Sequence, residues 1–200
     1  MADSFARAGY LTIAPDLFNG NPAPADLNTP GFDSKKFLAE HGPHVADPII
    51  EKTFKYMRET LGIQKIAAAG YCYGGKYSIR YSGIKKGADL AFAAHPAMLE
   101  DDEVDGIKGP TSVAAAGKSC SDTQKKNILT VAEHDELMSP ERRHEITDKL
   151  SKTGQIYQVS LYSGTMHGFG VRANVSDPQQ KFGKETAFLQ AVRFFESWSD

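Results

Sequence analysis

Two hundred residues suffice for one domain with a sizeable core. A hydrophobic fraction of 40%, a charged fraction of 24% and a formal net charge of -2 are ordinary for a globular chain and give no basis for nucleic-acid or acidic-membrane binding. No apolar run reaches the ~18 residues of a membrane span, the opening MADSFARAGY lacks the basic and apolar regions of a secretory signal, and two cysteines make no disulfide framework, so a reducing, cytoplasmic setting is expected.

In chain order, Tyr10 to Ala14 (YLTIA) reads as a strand closed by Pro15, followed by a Pro/Asn/Gly-rich loop to about Gly31. Asp47 to Leu61 has helical spacing, with Ile50, Phe54, Met57 and Leu61 on one stripe and Asp47-Pro48 as a cap and first-turn proline. Lys65 to Ala69 reads as a short buried strand and Gly75 to Tyr81 as a helix. Leu90 to Ala94 and Thr111 to Ala116 are further buried strands. Ser139 to Lys152 is a helix opened by Ser-Pro-Glu, Tyr157 to Tyr162 an alternating strand, and Gln179 to Trp198 a terminal helix. Its expected apolar face is Phe182, Ala187, Phe188, Ala191, Val192 and Phe195. Strands alternating with helices predict an α/β fold with a mostly parallel central sheet flanked by helices.

Ligand sites in such folds lie at the carboxyl ends of strands. Cys72 falls there, in Gly70-Tyr71-Cys72-Tyr73-Gly74-Gly75, the G-x-C-x-G-G form of a nucleophile elbow. The glycines let a strained turn push the nucleophile out of the sheet, and the following helix N-terminus favours the thiolate. The backbone N–H of Tyr73 is then an oxyanion donor. The plainer reading is a small buried residue beside a glycine turn, and the motif alone leaves the two balanced.

An elbow calls for an acid and then a histidine, in that order. Asp135 lies before a helix in AEHDELMSP, with Ser139 the better helix cap and Glu133 the competing acid. His167 follows a strand and precedes the terminal helix, where a general base belongs. His41, His44 and His144 read as surface residues; His134 merely neighbours Asp135. His95 ends a central strand and could line the site, as could Tyr71 beside the nucleophile. Arg172 is placed to clamp a substrate carboxylate, against the alternative of a plain surface arginine. No CxxC or HExxH is present, so a zinc site has no support.

With these residues in place, the chain resembles the dienelactone hydrolase family, fungal branch, within the α/β-hydrolase superfamily. The resemblance is carried by YLTIAPDLFNGNP, HGPHVADPI, AGYCYGGKY, AHPAM, IKGPTSVAAA, PERRHE and LYSGTMHGFGVR. It implies one hydrolase domain over 1–200, a triad of Cys72, Asp135 and His167, a covalent thioester, and opening of an ester or lactone without a cofactor. It implies a small-molecule substrate with no nucleic acid or membrane as partner; the family's type substrate is 4-carboxymethylenebut-2-en-4-olide.

Two departures stand out. The family's early strands, with the loop supplying a second oxyanion N–H and a glutamate that pairs with the resting thiol, are expected to be absent before Met1, so an N-terminally incomplete chain is expected. Residues 117–132 (GKSCSDTQKKNILTVA) have no counterpart; without them Ala116 joins Glu133 in the family-like TSVAAAEHDELMSPERRHE, so the segment reads as a suspected translated intron. The alternative to an active hydrolase is therefore a catalytically impaired fragment or a non-enzymatic binding relic. A thiol redox protein is a third reading, weakened because Cys120 is distant from Cys72 in sequence.

Overall fold

The computed structural model describes residues 1–27, 29–117, 135 and 137–199. They fall into two compact units, Met1–Gln64 and Lys65–Asp200.

The first unit holds α1 (Ala2–Arg7), α2 (Ser34–Glu40) and α3 (Pro43–Lys55), which widens into a π-turn over Tyr56–Thr60. Helix α2 went unforeseen, yet its start is legible: the Asp33 carboxylate accepts from the Lys35 and Lys36 amides. The expected strand Tyr10–Ala14 does not form. It is apolar enough, but this unit offers no second described strand for its backbone to pair with. The start of α3 also differs. Gly42 and Pro43 take the cap and first-turn places, and Pro48 sits inside the helix, where its ring forfeits one intrahelical hydrogen bond. His41 is buried rather than exposed, its ring stacked 4.1 Å from Phe37 and its Nδ1 2.7 Å from the Phe37 carbonyl oxygen.

The second unit is built on a parallel sheet in the order β1 (Ala67–Tyr71), β2 (Leu90–Ala94), β3 (Thr111–Gly117), β4 (Tyr157–Ser163). Between them run α4 (Tyr73–Tyr81), α5 (Asp101–Asp105) and α6 (Pro140–Lys152); α7 (Phe169–Arg172) and α8 (Pro178–Trp198) follow β4. Register explains the two faces. Ala93, Val113 and Val159 lie side by side across the sheet and pack with Ile79 of α4, Val104 of α5, and Ile146 and Leu150 of α6. The neighbouring row faces the other way, and there Gln190 of α8 donates to the Ser112 hydroxyl at 2.8 Å while accepting from the Tyr162 hydroxyl at 2.6 Å. Both faces are thus covered, and β2 and β3 are buried along their whole length, as parallel strands require.

Two sequence expectations shift here. β1 borders the sheet with Ala69 exposed, so it is not a buried strand throughout. The buried face of α8 is Gly183, Ala187, Gln190, Ala191, Phe194 and Phe195, whereas Phe182 is 65% exposed. The helix follows its 3.6-residue period onto Gln190, which apolarity alone does not reveal. Residues 118–132 of the suspected insert, with Cys120, and also Glu133 and His134 lie outside the described residues. No helix among the described residues is long and apolar enough to cross a membrane.

Candidate active site

All the site residues follow carboxyl ends of parallel strands. Cys72 follows β1, His95 follows β2, Asp135 comes after β3, and His167 comes after β4. Hydrogen bonds extend the ladder past the strand ends: the Cys72 amide donates to the Ala94 carbonyl at 3.1 Å, and the His95 amide to the Ala114 carbonyl at 2.7 Å.

At Cys72 the chain reverses with φ 52 and ψ -116, a conformation L-residues adopt only under constraint. Two glycines supply the constraint. A β-carbon at Gly70 would fall on the Gly74 carbonyl and 2.7 Å from the Gly75 amide nitrogen; one at Gly75 would lie 2.9 Å from Pro96. Gly74 is different, because a β-carbon there would meet nothing within 4 Å. The turn delivers Cys72 as the N-cap of the nine-residue helix α4.

The three candidate catalytic residues meet. His167 Nε2 lies 2.9 Å from Cys72 Sγ, and its Nδ1 lies 2.9 Å from Asp135 Oδ1. Asp135 is nearly buried, its side chain 3% exposed, and the same Oδ1 accepts from the Leu137 amide at 3.2 Å. Ser139, not Asp135, caps α6, accepting from the Arg142 amide at 3.2 Å.

The electrostatics follow from this geometry. Burial pushes the Cys72 thiol up, but the hydrogen bond and charge of His167, the Tyr73 backbone N–H and the Arg172 charge outweigh it, leaving the thiol below its ordinary range. Burial likewise opposes charge on His167, yet hydrogen bonds to Asp135 and Cys72, with their charges, lift it to about 9. Both shifts favour a thiolate–imidazolium pair at neutral pH.

The Tyr73 N–H therefore already acts on the sulfur. His95 is fully buried, its ring 5.1 Å from that of His167 and 5.3 Å from that of Phe169. Neither of its ring nitrogens has a hydrogen-bond partner, and burial followed by the His167 charge pulls it down to about 3, so it is neutral. Tyr71 lies 6.1 Å from the His95 ring; burial raises its hydroxyl far above the ordinary value. Arg172 is exposed on α7, folded back over Gly168 and near enough to act on Cys72 electrostatically. Phe169 was missed by sequence reasoning; its one signal was an apolar residue immediately after His167-Gly168. No group of described residues forms a metal-ligand cluster.

A model of the dienelactone hydrolase family matches residues 1–199. Hydrolase pyvD of Aspergillus violaceofuscus is 39% identical over 199 residues, covering 99% of this chain and 74% of its own. Hydrolase tropI of Talaromyces stipitatus is 37% identical over 207 residues, with the same two coverages of 99% and 74%. Among solved structures, a dienelactone hydrolase-like promiscuous phosphotriesterase from metagenomic libraries superposes with a TM-score of 0.56 at 14% identity, over 88% of this chain and 74% of its own. Pyrococcus horikoshii acylaminoacyl peptidase gives 0.54 at 11% identity, over 76% of this chain and 27% of its own. At these identities the structures speak for the fold alone, which is α/β-hydrolase-like. The family match along 1–199 and the fungal relatives place this chain in the dienelactone hydrolase family, whose members are hydrolases of the ester- and lactone-cleaving type.

Proposed function

We propose that the chain hydrolyses a small carboxylic ester or lactone through Cys72, with His167 as acid–base and Asp135 as its orienting acid. The observation that carries this reading is the unbroken relay from Sγ through His167 to the Asp135 carboxylate, 2.9 Å at each step.

In this reading the thiolate attacks the acyl carbon and the carbonyl π electrons move to oxygen, where the Tyr73 N–H meets the developing charge. The tetrahedral adduct collapses, the C–O bond breaks, and His167 Nε2 gives its proton to the leaving alkoxide, which stays tethered if the substrate is a lactone. A water then attacks the thioester while His167 takes its proton; the C–S bond breaks, and acid and thiolate are released. Asp135 Oδ1 keeps Nδ1–H fixed and stabilises imidazolium. Arg172 beside this centre suits a carboxylate on the substrate. His95 and Tyr71 form the neutral, buried wall behind His167. No cofactor enters these steps, and a reducing, cytoplasmic setting would keep the thiol available. The family match runs through both units, which supports 1–200 as one catalytic domain.

The test is p-nitrophenyl acetate hydrolysis by the purified chain. Turnover with acyl-Cys72 in the peptide mass spectrum, abolished in Cys72→Ala and His167→Ala, is expected. No turnover and no acylation would instead favour a binding relic.

A further inference from the structure

We propose that Lys76 and Glu103 are positioning residues: a buried ion network that clamps the His95–Met98 loop onto the nucleophile elbow and so holds His167 against Cys72. This deepens, and rests on, the assignment of Cys72 and His167 above.

Lys76 leaves the first turn of α4, four residues after the nucleophile, with its side chain only 8% exposed. Its ammonium donates to the Met98 carbonyl at 2.7 Å and lies 3.1 Å from Glu103 Oε2 and 3.6 Å from Glu100 Oε1. Three donors thus face three acceptors. Glu103 is wholly buried, and both its oxygens are engaged: Oε1 accepts from Arg80 Nη1 at 3.1 Å, and Oε2 also accepts the Glu100 backbone N–H at 3.0 Å.

What the network holds is a strained loop. His95 and Met98 are both non-glycine residues at positive φ, 39° and 56°. Such a loop keeps its shape only when its surroundings over-determine it. The Ala97 amide donates to the Cys72 carbonyl at 3.2 Å, and Pro96 packs where a Gly75 side chain would otherwise project. His95 presents its ring to His167 at 5.1 Å. A contact path therefore runs from the Lys76 ammonium through Met98 and His95 to the acid–base. Buried ion networks contribute little net stability against apolar replacements of equal size, so what this one supplies is conformational uniqueness at the elbow.

The test reads the Cys72–His167 pair by iodoacetamide alkylation of Cys72 across about pH 5 to 9, the range in which a perturbed thiolate forms. Lys76→Met should melt cooperatively yet alkylate about 10-fold more slowly at neutral pH, with its midpoint moved upward, as thiolate control predicts. Gln190→Leu, which removes a buried polar network on the opposite face of the sheet, should lower the melting temperature and leave the alkylation profile alone. If Lys76→Met does not fold, Glu103→Gln keeps the side-chain shape while removing the charge that holds Lys76, and the same shift is expected. An unshifted profile in either folded variant overturns the proposal. Alkylation needs no ester, so a chain without hydrolytic turnover still answers this question, and hydrolysis that survives Cys72→Ala would overturn the nucleophile assignment instead.

Discussion

Gly70→Ala and Gly74→Ala make the same chemical change four residues apart and should have opposite outcomes. At Gly70 the added methyl meets backbone on the far side of the elbow, the Gly74 carbonyl and the Gly75 amide at 2.7 Å, and a methyl has no torsion with which to escape. The elbow must open by a displacement on the order of 1 Å, an overpacking strain of roughly 1–3 kcal/mol or more. For a chain of this size that lowers the melting temperature by about 2–12 °C. The same displacement moves Sγ away from His167 and should cut hydrolysis and Cys72 alkylation by about 100-fold. At Gly74 the methyl meets nothing within 4 Å and sits in the first turn of α4, where alanine is favoured over glycine by roughly 0.5–1 kcal/mol. That variant should melt at or slightly above the parent temperature with its reactivity intact. Thermal denaturation by circular dichroism and alkylation rates on the same samples decide it. A Gly70→Ala protein as stable and reactive as the parent would refute the packing account of the elbow.

Three further outcomes are expected. Hydrolysis should need the thiolate–imidazolium pair and so fall on the alkaline side as His167 loses its proton near 9, while His167→Ala should move the alkylation midpoint of Cys72 upward toward the ordinary thiol range; a midpoint that does not move would disconnect the two residues. His95 is neutral when folded, with its value pulled from 6.5 to about 3, so between those limits only the unfolded chain takes up its proton. Stability should be full above pH 6.5 and fall by up to about 1.4 kcal/mol per pH unit on acidification toward 3, and His95→Phe should flatten this limb in denaturant titrations; an unchanged slope would count against it. Gln190→Leu takes away the 2.6 Å acceptor of the Tyr162 hydroxyl and the donor to the Ser112 hydroxyl and Val113 carbonyl, and should cost roughly 1–3 kcal/mol in chemical denaturation, with a neutral result arguing that the network is dispensable.

How much was legible depends on how local the signal is. The four strands and α4, α6 and α8 of the second unit were placed within a residue or two because each declares itself over its own length: LAFAA as a buried parallel strand, Ser139-Pro140 as a cap, the period of α8 as a helix; the short α5 and α7 have too few residues to show a period and were not foreseen. The elbow was readable because its glycines, Cys72 and the following helix are contiguous. The first unit was read less well. YLTIA has strand chemistry, but a strand exists only through a partner, and Asp47-Pro48 has the chemistry of a helix start although the helix already begins at Pro43.

The sequence by itself determined the residue types of the site, their order and the strand–turn–helix setting of Cys72, since these follow from local sterics and hydrophobic period. Only the tertiary structure decided that sites 32 and 95 residues apart in the chain converge on one imidazole, that His95 is a neutral buried wall, and that Lys76 turns inward to Glu103. Those facts depend on strand register and on which charges share a dry interior, and neither is written in any one segment of the chain.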